Sequence, residues 1–307
     1  MNAPAAIVVK LSLVALIWGG AFIAGRVAAA QMSAPTAALW RYLIATVALV
    51  VLTFLREGGL PRLSRREWIG IVLLGATGVV AYNLCFMFGL ESVPASRGSL
   101  IIALNPAATM IGAALFLHEP LTLGKVAGML LALAGVTLEL GGGNPLALFE
   151  GGAGVGEAAL FGCVIAWAAY TLIGKRITVG ISPLAVTTYA ALVGTAMLVA
   201  IALMRGELVV PNASPAGWVS LAYMGTLGTA VAFVWFLEGV KTLGPARAAI
   251  FVNLVPVAAI ALGVLLLGER ITMPMIAGAV LVIAGVWIIN RPASQSIPSP
   301  AIAHPHI

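Results

Sequence analysis

Runs of about 20 apolar residues, separated by short polar or proline-bearing turns, recur along this 307-residue chain. A transmembrane helix needs about 20 such residues. Ten runs fit, near 7–30, 34–55, 68–90, 95–117, 122–140, 156–177, 182–204, 216–240, 245–267 and 273–290. Between them lie turns such as Ser33-Ala34-Pro35, His118-Glu119-Pro120, Ser182-Pro183 and Gly244-Pro245. Proline in a first helical turn removes no hydrogen bond, so these prolines mark helix starts. The pattern predicts an all-α membrane protein of ten transmembrane helices.

The pattern occurs twice. Residues 97–136 read against 247–286 share Arg97/Arg247, Pro106/Pro256, Glu119/Glu269, Thr122/Thr272, Gly128/Gly278 and Gly135/Gly285. Over 94–139 against 244–289, 14 of 46 positions are identical without a gap. Ala, Leu, Val and Gly recur by chance in apolar sequence, but Arg, Pro, Glu and Thr at fixed spacing mark a repeat. The match extends upstream: Trp18, Gly25 and Arg26 align with Trp167, Gly174 and Lys175, and Trp68, Gly75 and Gly78 with Trp218, Gly225 and Gly228. The expected units are 7–140, a Gly-rich external linker over 141–156, a second repeat over 157–290, and a disordered cytoplasmic tail over 291–307. Five helices per unit is an odd number, so the second copy enters the membrane from the opposite side. That is the inverted repeat of many secondary transporters.

Composition sharpens this. The chain is 62% hydrophobic and 8% charged, against roughly 25% charged for a soluble domain, and mean hydropathy is +1.11. Its net charge of +6 is spread through loops instead of gathering on one face, so no nucleic-acid partner is expected. With both termini cytoplasmic, 11 basic residues fall inside and 4 outside, as the positive-inside rule asks. Cys85 and Cys163 lie in apolar runs, with no metal or disulfide spacing. Neither a metal nor a cofactor is expected.

Candidate chemistry lies at mid-span. Trp18 and Phe22 fall there in the first predicted helix, Tyr82, Asn83 and Phe86 in the third, and Trp167, Tyr170 and Thr171 in the sixth. Trp235 follows in the eighth, with Asn105 and Asn253 in the fourth and ninth. Trp and Tyr ordinarily gather at membrane interfaces, so rings at mid-span suit either a cavity wall or helix packing. Pro106 and Pro256 should kink their helices and free a carbonyl. Asn105 and Asn253 stand beside those kinks, able to satisfy the backbone or to meet a substrate. Arg41 is the one cation well inside a run. It serves as an outer gate or a site for a substrate carboxylate, or it snorkels outward. The chain contains no Asp, and no Glu or His falls at mid-span. Intramembrane proteolysis is thereby excluded and proton coupling disfavoured. A neutral, aromatic cavity suits small net-neutral substrates such as amino acids.

The residues also carry a resemblance. The Trp18-Gly19-Gly20-Ala21-Phe22 stretch, the Pro35 and Arg41 pair, and the helix ends Pro106 to Glu119 and Pro256 to Glu269 resemble the drug/metabolite transporter superfamily, built of two EamA-type repeats. The resemblance covers about 7–290 and is nearest to the YddG-type amino acid exporters. It implies a multi-pass inner-membrane carrier working by alternating access. It also implies a small-molecule substrate: an amino acid first, with multidrug, sugar, purine or sugar-phosphate transport as alternatives. From another class, a channel remains open. Gly124, Gly128 and Ala132 form a small-residue stripe, read first as packing within the chain, with a monomer as the working expectation.

Overall fold

The computed structural model describes residues 3–29, 31–92, 101–140, 154–206, 208, 212–267 and 272–290. The tail over 291–307 and most of the linker lie outside these residues. Among the described residues the chain forms ten apolar helices in two inverted repeats, six of them long enough to cross a membrane. The first repeat comprises α1 (Ala3–Ala29), α2 (Ala34–Glu57), α3 (Arg65–Leu74 continuing to Tyr82–Ser92), α4 (Asn105–Leu117) and α5 (Leu123–Leu140). The second comprises α6 (Val155–Ile177), α7 (Pro183–Arg205), α8 (Pro215–Gly225 continuing to Ala232–Leu243), α9 (Pro245–Ala249 continuing to Leu254–Leu267) and α10 (Met273–Asn290).

Local chemistry sets the ends. Ser182 and Ser214 accept hydrogen bonds from the backbone N–H of Ala185 and Gly217, capping α7 and α8. Ser64 and Glu67 form a reciprocal capping box, which starts α3 at Arg65, three residues before the apolar run begins. Gly58 and Gly206 end α2 and α7 in the left-handed conformation. The helix of α6 begins at Val155, two residues inside the expected linker.

Two helices change their winding at matching places. In α3 the segment Gly75–Ala81, and in α8 the segment Thr226–Val231, are π-helical. Such turns are rare and favour functional sites. Each lies where its helix presses on the opposite repeat. A Cβ on Gly75 would stand 3.0 Å from the Gly194 nitrogen of α7, and one on Gly225 would stand 2.8 Å from the Arg41 carbonyl of α2. α1 packs on α8 and α9, and α6 packs on α3 and α4. The repeats are therefore interlocked.

The helices α5 and α10 pack chiefly on each other. A Cβ on Gly128 would lie 2.8 Å from the Gly285 carbonyl, and one on Gly135 would lie 2.6 Å from that of Gly278. Glycine permits this backbone approach, which drives helix association where water cannot. The small-residue stripe thus serves packing within the chain at Gly128 and Ala132, while Gly124 has nothing within 4 Å of such a Cβ. Gly135→Ala should cost about 1–3 kcal/mol through overpacking. Gly124→Ala should be neutral or gain up to about 1 kcal/mol from helix propensity. Thermal unfolding of both variants in one detergent checks the contrast; equal melting temperatures would refute the close approach.

Candidate functional site

Where α1, α3, α6 and α8 meet, seven rings form a box. Trp167 is its hub. Its centroid lies 5.4 Å from Trp18, 5.4 Å from Tyr82, 5.5 Å from Tyr170, 5.5 Å from Phe233 and 5.2 Å from Phe236. The Trp18 and Phe233 contacts are edge-to-face, the favoured arrangement, worth about 0.5–1.5 kcal/mol per pair beyond area burial. Phe86 stacks on Tyr82 at 6.0 Å. The box draws α1 and α3 from the first repeat and α6 and α8 from the second, so it straddles the surface along which the repeats would move.

Of the residues expected from sequence, Trp18, Tyr82, Phe86, Trp167 and Tyr170 come together here. The side chain of Phe22 lies outside the described residues. Trp235 does not join them: it packs against the buried cluster of Leu49 of α2, Leu184 and Ala191 of α7, and Ala230 and Val234, and the Lys10 ammonium lies 5.9 Å from its ring. The expectation missed Phe233 and Phe236. They stand at i and i+3, the same-face spacing of a helix, and that was the available signal.

Polar groups fall into two sets. One set is satisfied. The Trp18 indole N–H donates to the Gly228 carbonyl at 2.9 Å, inside the π turn of α8. The Asn83 amide donates to the Val79 carbonyl at 2.7 Å, inside the π turn of α3. The Arg41 Nε donates to Thr229 Oγ1 at 3.0 Å, and its guanidinium carbon lies 5.6 Å from the Tyr42 ring. Arg41 thus turns toward α8 instead of snorkelling. Among the described residues no carboxylate stands within ion-pair distance of it. Its repeat counterpart, Tyr189, donates instead to the Pro61 carbonyl.

The second set is buried and, among the described residues, unspent: Trp167 Nε1, Asn105 Oδ1, Thr109 Oγ1 and both amide atoms of Asn253. Tyr170 borders a cavity of about 10 Å³ shared with Tyr42, Thr187 and Thr229, about the room one water needs. Asn105 and Asn253 flank breaks in α4 and α9. A turn at 103–104 precedes Asn105, and a 3-10 segment, Ile250–Asn253, interrupts α9. Pro106 and Pro256 fall in the first turn of the helices that follow. They restart a helix after a break, where a missing N–H is cheapest.

At the end of the bundle where the chain starts, polar contacts tie the repeats together. The Lys10 ammonium pairs with the Glu238 carboxylate at 2.5 Å, joining α1 to α8. The Arg176 guanidinium donates to the Phe116 carbonyl at 2.8 Å, joining α6 to α4.

This architecture has relatives. The EamA-like transporter family matches residues 6–140 and again 154–291. The chain belongs to that family. A Streptantibioticus cattleyicolor protein named "Probable terminal-alkyne amino-acid exporter" is 32% identical over 284 residues, covering 92% of each chain. The transporter YyaM of Bacillus subtilis is 28% identical over 87% of this chain and 88% of its own length. The inner membrane transporter YedA of Escherichia coli is 26% identical over 89% and 87%. A crystal structure superposes with a TM-score of 0.76 over 92% of this chain and 98% of its own, at 19% identity, which carries the fold alone. This EamA-family protein is therefore a membrane transporter, not an enzyme.

The π turns depend on their caps. Asn83→Ala should leave the buried Val79 carbonyl unsatisfied and cost about 1–3 kcal/mol, read as a fall in melting temperature. An unchanged melting temperature would show that the carbonyl finds another donor.

Proposed function

We propose that this transporter is a carrier of the cell's inner membrane that exports small net-neutral metabolites, foremost amino acids with apolar side chains. The observation that carries this reading is the aromatic box between the repeats, whose hub Trp167 keeps an unspent N–H. Rings match an apolar side chain, and amides and hydroxyls match a zwitterion without fixing a net charge. The amino-acid name borne by one relative supports the same class. Both termini lie in the cytoplasm by the positive-inside rule. Rocking of one repeat against the other exposes the site alternately. The Lys10–Glu238 and Arg176–Phe116 contacts then close the cytoplasmic side in the described state.

Arg41 serves the outer half of the path, as a gate or as the partner of the substrate carboxylate. Its half-buried guanidinium, held by Thr229, is an unbalanced positive charge that a carboxylate can meet.

Counterflow of radiolabelled L-leucine into proteoliposomes is the first test. Saturable exchange is expected; unsaturable flux points to a channel, and transport of sugar phosphates or drugs alone overturns the amino-acid reading. Trp18→Ala and Trp167→Ala should both lower the rate while folded protein stays in the membrane. If Arg41 holds the carboxylate, Arg41→Gln should raise KM at least tenfold, since a charged hydrogen bond contributes about 1.5–3 kcal/mol. An unchanged KM with a lower rate assigns Arg41 to the gate.

With no carboxylate or His at mid-span, the substrate gradient drives net export, and counterflow should proceed without a pH gradient. Concentrative uptake driven by an imposed pH gradient and abolished by an ionophore would overturn this and implicate Glu91 or Glu238.

A further inference from the structure

Trp18 and Trp167 are repeat mates, yet they are spent differently. The indole N–H of Trp18 is used on the Gly228 carbonyl. The equivalent acceptor for Trp167 is Gly78, but the space over Gly78 is filled by the Tyr170 ring. Over Gly228 the matching position is Ala21, whose Cβ would be 3.8 Å from a Cβ there, so Trp18 has room to reach. In the first repeat Asn83 caps the π turn from its own helix. Trp167 is left 4% exposed, with an N–H that no group among the described residues accepts. A buried unpaired donor costs about 1–3 kcal/mol, and such groups in native proteins call for a specific explanation.

We propose that the Trp167 N–H is the substrate's hydrogen-bond donor, taking a carboxylate or carbonyl oxygen, and that Trp18 is a positioning residue that closes the π turn of α8. This deepens the carrier reading and rests on it. An oxygen arriving at Trp167 enters among rings, so it must ride on a small, largely apolar body. Further unspent groups lie on α4 and α9, helices that pack on one another and on α6, the helix of Trp167. Asn253 offers an amide N–H₂, Asn105 an oxygen, and Thr109, one turn from Asn105, a hydroxyl. A ligand whose one end carries both acceptors and donors satisfies this set. A zwitterionic α-amino acid has that end, and its carboxylate meets the Trp167 N–H.

The test is the pair Trp167→Phe and Trp18→Phe, each removing an N–H while keeping a ring. Uptake of L-leucine, uridine and D-glucose into proteoliposomes is measured with melting temperature. Trp167→Phe should raise KM about tenfold, the size of one ligand hydrogen bond, at an unchanged or higher melting temperature. Trp18→Phe should lower the melting temperature and shift KM by much less than Trp167→Phe does. An unshifted KM in Trp167→Phe for any carried probe, or a melting temperature as low as that of Trp18→Phe, overturns the inference. Uridine carried and leucine refused, with the tenfold shift present, upholds the inference and overturns the amino-acid reading alone. Carriage of none of the three overturns both.

Discussion

The reciprocal press of α3 on α7 and of α8 on α2 organises the molecule. In a bilayer, lipid tails are as apolar as the helices, so association depends on close fit and interhelical hydrogen bonds. Gly75 and Gly225 provide the fit by letting backbone meet backbone. At the same places both helices unwind into π turns, which loosens the carbonyl ladder and exposes acceptors. Those acceptors recruit Trp18 across the repeat boundary in one half and Asn83 within its own helix in the other. Helix packing thereby fixes where the aromatic box stands.

Much of this was legible in the sequence. A shift of 150 residues predicted two equivalent halves, and it correctly paired Gly75 with Gly225 and Gly78 with Gly228. Pro106 and Pro256 marked the breaks of α4 and α9, while the start of α3 was placed three residues late, because its Ser64–Glu67 capping box lies outside the apolar run. The π turns could not be seen, because a helix apolar on every side has no phase for an added residue to disturb. The same uniformity misdirected the reading of α8. Trp235 carries the more conspicuous ring, but each residue turns about 100° from the last. With Phe233 and Phe236 facing inward, Trp235 turns toward α2 and Lys10.

The unspent groups were half legible. Asn105 and Asn253 were expected beside helix breaks, as caps or as ligand groups, and among the described residues Asn105 Oδ1 and both amide atoms of Asn253 have no hydrogen-bond partner. Nothing in the sequence separated Trp18 from Trp167, since both sit at the same repeat position. The difference lies one turn away, where Ala21 in one repeat faces Tyr170 in the other.

That difference says what a duplicated fold can do that a symmetric one cannot. Two identical halves would present the same groups to a ligand from both sides, which suits a rocking scaffold but not a molecule with a polar end and an apolar end. Here α5 and α10 keep the symmetry, glycine on glycine, and the π turns keep it in position. The lining departs from it at Ala21 and Tyr170, at Arg41 and Tyr189, and at Asn105, whose counterpart is Val255. Each departure changes the side chain at a repeat-matched position. The scaffold can therefore stay nearly two-fold, as motion between equivalent states requires, while its lining becomes one-sided, as recognition of an asymmetric solute requires.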